Sequence, residues 1–320
     1  MHWKKLGQTF DVSERSLPSG CNEFAQAPQA LLLSDRIRVY FTTRWLDHSN
    51  GKYLSHVAYA DFSRGFETIL DVSRHEVIPL GKRGTFDEHG IFPMNVLRHE
   101  GEIRGYTSGV NRRISVPVDG AIGLAVSRDE GRTFQRLGDG PVLAPSLKEP
   151  CIAVDPFVQV FENQFHMWYV FGLGWNPSDS AMGPDRLYKI GYAVSIDGIV
   201  WTKPAEGRPI IADRLGATEC QAMPTVIRMK DHYHMFFCFR YSSDFRTNRN
   251  RSYRIGHASS TDLVTWSRDD ESMLIQPTPG AWDSDMICYP HVFESDEQIY
   301  MLYNGNQFGR YGFGAAVLVQ

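Results

Sequence analysis

The stretch "VDPFVQVF", from Val154 to Phe161, decides the fold because its pattern recurs along the chain. An apolar strand entered through a proline also occurs as "QAPQALLL", "IFPMNVL", "AMPTVIRM" and "CYPHVFES", at Pro28, Pro93, Pro224 and Pro290. With Pro156 included, successive prolines lie 65, 63, 68 and 66 residues apart. A nearly constant period of this length indicates a repeat architecture with five units.

Each unit continues into further short strands. Aromatic strands such as "RVYFTTRW" and "YHMFFCFRY" follow the proline strands, and "IGYAVSIDGIVW" and "IGHASSTDLVTW" follow later. Four short strands per unit, joined by Gly/Asp turns, predict an all-β fold, a five-bladed β-propeller. Residues 1–320 then form one domain. The last unit ends before an outer strand, so we expect the N-terminal strand "HWKKLGQTF" to pair in that blade and close the ring, with Trp3 in the slot of Trp201 and Trp266.

The composition argues against several classes of protein. Charged residues make up 22% of the 320 residues and the net charge is -4, which gives no reason to expect nucleic acid or an anionic membrane as a partner. No segment approaches the roughly 18 apolar residues of a membrane span, and we expect a cytoplasmic protein. The five widely spaced cysteines argue against a disulfide framework and a structural zinc site. The oligomeric state is not predicted.

Three acidic turns repeat with the blades. "SRDEGRTF", from Ser127 to Phe134, matches the Asp-box pattern, and Asp129, Asp197 and Asp262 occupy equivalent positions. An aspartate in such a turn accepts hydrogen bonds from nearby backbone N–H groups. We therefore interpret these three aspartates as structural.

A second set of acidic residues precedes the repeated prolines. Five positions before them stand Glu23, Glu88, Cys151, Glu219 and Asp285. If the strands stay extended, these side chains surround the mouth of the central channel, whereas a β-bulge would turn them to the other face. Clustered carboxylates with displaced pKa values suit acid–base catalysis. The alternative is that they cap strand ends and bind arginines or a stabilising cation.

Candidate ligand-binding residues lie near the same strand ends. The loop after the aromatic strand of the fourth unit is rich in arginine, and its planar guanidinium groups suit carboxylate or phosphate. Trp175 is a candidate platform for a sugar ring. No metal site is predicted and no cofactor is expected, with a structural cation or bound phosphate on the axis as the alternative. The predicted substrate-binding residues are Asp285, Glu149, Arg240, Tyr241, Arg246, Arg251, Trp175 and His89.

The chain resembles the five-bladed β-propeller glycoside hydrolases of the invertase, levansucrase and arabinanase type, families 32, 43, 62, 68 and 130. "VDP" at Val154 to Pro156 is similar to the Asp-Pro that holds the transition-state stabiliser, and "EC" at Glu219 is similar to the Glu-Cys that carries the general acid. The resemblance implies a carbohydrate substrate, Glu219 as general acid and Asp155 as stabiliser.

The sequence departs from these families in the first blade. Invertases have Asn-Asp-Pro-Asn-Gly there, whereas this chain has Ala27 before Pro28, so Glu23 or Glu88 would have to act as nucleophile or base. The leading hypothesis is a glycosidase. The alternatives are a phosphorylase or glycosyltransferase that uses an anionic donor in bacterial surface-polysaccharide metabolism, and a non-catalytic glycan-binding propeller.

Overall fold

The computed structural model describes residues 2–177 and 183–319, and it consists mainly of antiparallel β-sheet. After the N-terminal strand β1 (His2–Asp11), blade I contains β2 (Glu23–Leu32), β3 (Ile37–Asp47), β4 (Lys52–Phe62) and β5 (Ile69–Val72). Blade II contains β6 (Ile91–His99), β7 (Glu102–Gly109), a small hairpin of β8 (Asn111–Arg112) and β9 (Val118–Asp119), β10 (Ile122–Ser127) and β11 (Gln135–Arg136).

The remaining blades follow in the same order. Blade III contains β12 (Ala153–Phe161), β13 (Gln164–Asn176) and β14 (Asp185–Ser195), with a single outer bridge from Val194 to Thr202. Blade IV contains β15 (Glu219–Met229), β16 (His232–Tyr241), β17 (Arg254–Ser260) and β18 (Ser267–Arg268). Blade V contains β19 (Cys288–Ser295), β20 (Gln298–Asn304) and β21 (Gly312–Val319).

The described helices are short. They are α1 (Asn306–Gly309) and the 3-10 turns Val12–Glu14, Pro18–Gly20 and Arg249–Arg251. In this part of the chain, no helix has the length and hydropathy needed to cross a bilayer.

The two ends of the chain meet in blade V. Strand β1 pairs antiparallel with β21, from His2 opposite Val319 to Asp11 opposite Gly312, and forms the outer strand of that blade. Trp3 is buried and meets Phe236 of blade IV edge to face, with ring centroids 5.5 Å apart. The predicted five-bladed β-propeller is confirmed.

The core is divided among the gaps between neighbouring blades. Five apolar clusters each join two adjacent blades, and a sixth lies at the axis. The inner strand of every blade contacts the inner strands on both sides, so the five inner strands surround a common axis. Burial of both faces of each sheet therefore depends on closure of the ring.

Every inner strand carries an irregularity at its proline. The ladder between the first two strands of each blade shifts register there. The residue before the proline has φ of 53° at Ala27 and Asp155, 52° at Met223 and 56° at Tyr289, and in blade II Phe92 precedes Pro93 through a cis bond. A bulge of this kind re-aims one side chain. In this fold it re-aims the side chain before the proline.

The acidic turns are structural, as predicted. Asp197 accepts hydrogen bonds from the backbone N–H groups of Ile199 and Val200, at 2.8 and 2.9 Å. Asp262 repeats this arrangement in blade IV, and Asp129 caps the equivalent turn in blade II. These turns connect the outer strands of their blades.

Candidate functional site

One carboxyl group occurs among the five residues that precede the repeated prolines. Ala27, Met223 and Tyr289 belong to the apolar cluster at the axis, and Phe92 packs against it. Asp155 lines a small chamber of about 80 Å³ together with Phe92 and Tyr289. The residue types at the bulges thus give the axis an apolar floor that contains a single acid.

Asp155 is held by the strand of the neighbouring blade. It is 8% exposed, and its backbone N–H donates to Oγ of buried Ser108 at 2.8 Å. Burial raises the pKa of Asp155 to about 7, although the Arg186 guanidinium and the backbone N–H of Met223 favour the ionised form. A carboxyl group with a pKa near neutrality can both donate and accept a proton under ordinary conditions.

A larger cavity of about 750 Å³ adjoins this chamber, and we call it the axial cavity. The two spaces share Arg186, Tyr188, Tyr253 and Tyr289 in their linings. Six arginines line the axial cavity, namely Arg44, Arg186, Arg240, Arg246, Arg249 and Arg310. Its volume lies in the usual range for small-molecule sites, and its wall combines cationic with aromatic groups.

Arg240 is the most deeply buried of these arginines, with 2% of its surface exposed. Its Nε donates to the Tyr188 hydroxyl at 3.2 Å, and its Nη1 donates to the backbone oxygen of Tyr241 at 2.7 Å. The guanidinium lies 3.4 Å from the ring centroid of Phe245. Its partners among the described residues are aromatic faces and neutral oxygens, with no carboxylate among them.

Arg44 occupies the corresponding strand end in blade I. Its guanidinium lies 5.2 Å from the ring centroid of Phe24 and 5.5 Å from that of Phe92. Its Nε is buried without a hydrogen-bond partner in the part of the chain that the structure describes. Burial lowers the pKa of Arg44, but a guanidinium group stays protonated in proteins.

The predicted acidic ring is only partly present at the axial cavity, because Glu219 and Glu88 do not line it. In four blades, a buried carboxylate near the entrance of the inner strand instead binds a cation near the outer strand of the same blade, and we call these pairs the clasps. They are Asp87 with Arg136 at 2.6 Å, Glu149 with Lys203 at 2.5 Å, Glu219 with Arg268 at 2.7 Å, and Asp283 with Lys5 at 2.5 Å.

This geometry argues against Glu219 as general acid. Its side chain is fully buried and accepts hydrogen bonds from two backbone N–H groups, of Arg214 and Leu215, as well as from Gln221 and Arg268. It does not line the axial cavity. A carboxylate whose oxygens are occupied by four donors, and which lines neither the axial cavity nor the small chamber, is not placed to protonate a substrate there. Glu149, bound by Lys203 and Tyr169, is removed from the substrate-binding set for the same reason.

The other predicted carboxylates have different surroundings. Asp285 lines the axial cavity and is exposed, which agrees with a place at its rim. Glu23 binds Arg310 at 2.5 Å and accepts from the Tyr53 hydroxyl at 3.2 Å, and both of these partners line the cavity. Glu88 accepts from the backbone N–H of Gly84 in the loop before β6 and lies outside the lining.

The predicted ligand-binding residues divide in the same way. Arg240 and Arg246 line the axial cavity, and Arg246 also pairs with Asp185 at 3.0 Å. Arg251 lies 4.2 Å from the ring centroid of Tyr241, and neither belongs to the lining.

Trp175 and His89 also lie outside the axial cavity. Trp175 lines a separate surface cavity of about 620 Å³ beside β8 and β9. His89 accepts the backbone N–H of Arg112 through Nδ1 at 3.3 Å. No group of three or more metal-ligating side chains is present among the described residues.

Sequence reasoning missed Arg44, Arg186 and the tyrosines of the wall. A signal for Arg44 existed, because "TTRW" and "CFRY" put Arg44 and Arg240 at the same end of equivalent strands. The tyrosines Tyr188 and Tyr253 come from β14 and from the residue before β17, and their hydroxyl groups hydrogen-bond each other across the two blades. No local sequence pattern predicts that hydrogen bond.

Comparison with known proteins finds relatives that match along the whole length. No family model matches the sequence. Two proteins of Mycobacterium tuberculosis, "Uncharacterized protein MT1551" of strain CDC 1551 / Oshkosh and "Uncharacterized protein Rv1502" of strain ATCC 25618 / H37Rv, are each 34% identical over 325 residues, covering 99% of both sequences. This protein belongs to their family.

Solved structures extend the comparison to more distant proteins. One glycoside hydrolase structure has a TM-score of 0.71 at 17% identity and covers 99% of this chain and 93% of its own. A thermostable family-43 glycoside hydrolase has a TM-score of 0.65 at 12% identity, covering 95% and 91%. A protein of the GH130 family of mannoside phosphorylases has a TM-score of 0.65 at 16% identity, covering 92% and 84%. The resemblance to propeller glycoside hydrolases is thus confirmed at the level of the fold.

Proposed function

We propose that this chain is a carbohydrate-active enzyme of the glycosidase type, which cleaves or transfers a glycosyl unit where the axial cavity meets the small chamber lined by Asp155. The observation that carries the proposal is Asp155, the one carboxyl group among the five residues that precede the repeated prolines, which lines the small chamber with a pKa of about 7. The shared fold adds an analogy, because fold alone does not fix function.

Asp155 acts as the general acid in this proposal. Its neutral form donates a proton to the oxygen of the leaving group, and its ionised form can take up a proton in the second half of the reaction. Burial beside Phe92 and Tyr289 raises the pKa enough that the neutral form of Asp155 is well populated near neutral pH. Ser108 fixes its backbone position.

The ionised partner is a carboxylate at the rim. Asp285 and Glu23 are the candidates, since Asp285 lines the cavity and Glu23 contacts two lining residues. Either carboxylate would activate water or stabilise positive charge on the sugar ring, as the second carboxylate does in glycoside hydrolysis.

Phosphorolysis is the second candidate reaction. It is favoured by the floor itself, where Ala27 stands at the bulge that carries an aspartate in invertases. Inorganic phosphate would then replace the activated water, held by the arginines of the cavity.

The test is a turnover screen on aryl glycosides and pooled glycans, with and without phosphate, for wild type and Asp155→Asn. Asparagine tolerates the positive φ at this position, so the variant should fold. Turnover should fall by about 100-fold or more. The control is Asp231→Asn, an exposed position in the turn between β15 and β16 at the opposite end of blade IV.

The outcomes separate the candidates. A requirement for phosphate selects phosphorolysis, and turnover in its absence selects hydrolysis. Full activity of Asp155→Asn would refute the assignment of the acid. Glycan binding by the wild type without any turnover would favour a non-catalytic binding propeller.

A further inference from the structure

The axial cavity contains more positive charge than its own carboxylates balance. Among the described residues, its lining has six arginines and one aspartate, Asp285, whereas the chain as a whole has a net charge of -4. Arg246 and Arg310 have partners in Asp185 and Glu23. The inner arginines differ from these two, because Arg44 and Arg240 have no carboxylate partner among the described residues.

The surroundings of these two arginines supply no carboxylate among the described residues. The Nε of Arg44 is buried without a partner in the described part of the chain. Arg240 donates from Nε and Nη1 to the Tyr188 hydroxyl and a backbone oxygen and also interacts with the Tyr253 hydroxyl, so its described partners are neutral oxygens. Buried guanidinium groups in proteins are normally paired, because losing water without a counter-charge is strongly unfavourable.

Aromatic rings compensate only part of this loss. Arg240 lies against Phe245 and Arg44 lies near Phe24, at 3.4 and 5.2 Å from the ring centroids. Such contacts are weaker than a desolvated ion pair with hydrogen bonds. Since arginine keeps its proton, an anion bound in the cavity would supply the counter-charge that Arg44 and Arg240 lack among the described residues.

The size and wall of the cavity indicate that the anion is attached to a sugar. A free oxyanion would fill a small part of about 750 Å³. The rest of the wall presents the aromatic side chains of Phe24, Tyr188, Tyr253, Tyr289 and Phe308, which suit the apolar faces of sugar rings.

We propose that the axial cavity selects an acidic glycan, in which a sugar unit carries a carboxylate, sulfate or phosphate group that binds Arg44 and Arg240. This inference deepens the proposed function and rests on it for the reaction. Its test measures binding alone, so the binding inference and the proposed reaction can be refuted independently.

The experiment is calorimetry with acidic oligosaccharides in three sets: uronic acid oligosaccharides, sulfated oligosaccharides and phosphorylated oligosaccharides. Each is paired with its neutral counterpart, made by carboxyl reduction, desulfation or dephosphorylation. Inorganic phosphate is titrated separately. We expect the acidic form of at least one pair to bind about 10-fold tighter or more than the neutral form. The set that binds identifies the source of the oxyanion.

Three arginine variants identify the binding groups. Arg44→Gln and Arg240→Lys should each reduce the preference for the acidic form by about 10-fold, while Arg74→Gln, at an exposed position after β5, should leave it unchanged. Thermal melts establish that the variants are folded. If Arg240→Lys is unstable, Arg44→Gln alone decides the matter.

Three outcomes would overturn the inference: equal binding of acidic and neutral forms, no binding by any acidic oligosaccharide, or binding of inorganic phosphate alone. Asp155→Asn should keep the preference for the acidic form while it loses turnover. Acidic binding by a wild type that has no turnover would reject the proposed reaction and leave this inference standing.

Discussion

Asp155→Asn should change how the stability of the protein depends on pH. The pKa of Asp155 rises from 3.8 to about 7 on folding because the carboxyl group is buried. At about 1.4 kcal/mol for each pKa unit, this difference corresponds to at most about 4 kcal/mol. The folded protein holds the proton more tightly than the unfolded chain does, so ionisation of Asp155 favours unfolding.

The pH window follows from the two pKa values. Below about pH 4, Asp155 is protonated in both the folded and the unfolded state and does not lower the unfolding free energy. Above about pH 7 it is ionised in both states, and its burial lowers the unfolding free energy by the full amount. Asparagine has no such titration. The stability of wild type relative to Asp155→Asn should therefore fall by up to about 4 kcal/mol between these limits.

Urea unfolding of both proteins at a series of pH values measures this difference. Comparison of the two curves cancels the titration of all other groups, provided that both proteins unfold in one transition. The variant Asp231→Asn reports the effect of losing a surface carboxylate. A difference between wild type and Asp155→Asn that stays constant with pH, or that grows in favour of wild type as the pH rises, would refute the reasoning.

Two further predictions concern the clasps and the ring closure. Glu219→Gln should lower the unfolding free energy by about 3 kcal/mol, because Arg268 loses a buried partner. Turnover per folded molecule should stay unchanged. A loss of turnover without a loss of stability in urea would restore Glu219 as a catalytic group. Trp3→Ala should lower the unfolding free energy by about 3 to 5 kcal/mol, because Trp3 fills the gap between blades IV and V. A loss below about 1 kcal/mol in the same assay would mean that closure by β1 adds little.

The fold could be predicted from the sequence because the same local patterns recur in each blade. Each proline strand and each acidic turn recurs in register with the blades, and the repeat needs no knowledge of distant contacts. The sequence also contains a pattern that indicates the cations of the clasps. In blades II to V a cation lies two residues after an aromatic residue, in "FQR", "WTK", "WSR" and "WKK".

The candidate site was harder to predict because its side chains depend on a bulge. Side chains alternate along a strand, so one extra residue moves every later side chain to the other face. The clasp carboxylates lie at different distances from their prolines, five residues at Glu219 but seven at Glu149 and Asp283. Counting back a fixed number of positions therefore selected residues with different surroundings.

The sequence by itself thus determined the number of blades, their order and the single Asp-Pro among the five inner strands, because all three are properties of local segments. Only the tertiary structure decided which side chains meet at the axis. Asp155 in the small chamber and Arg44 and Arg240 in the adjoining axial cavity come from three different blades, and no local pattern links them. Their placement depends on closure of the ring, and the direction of the Asp155 side chain depends also on the positive φ at its bulge.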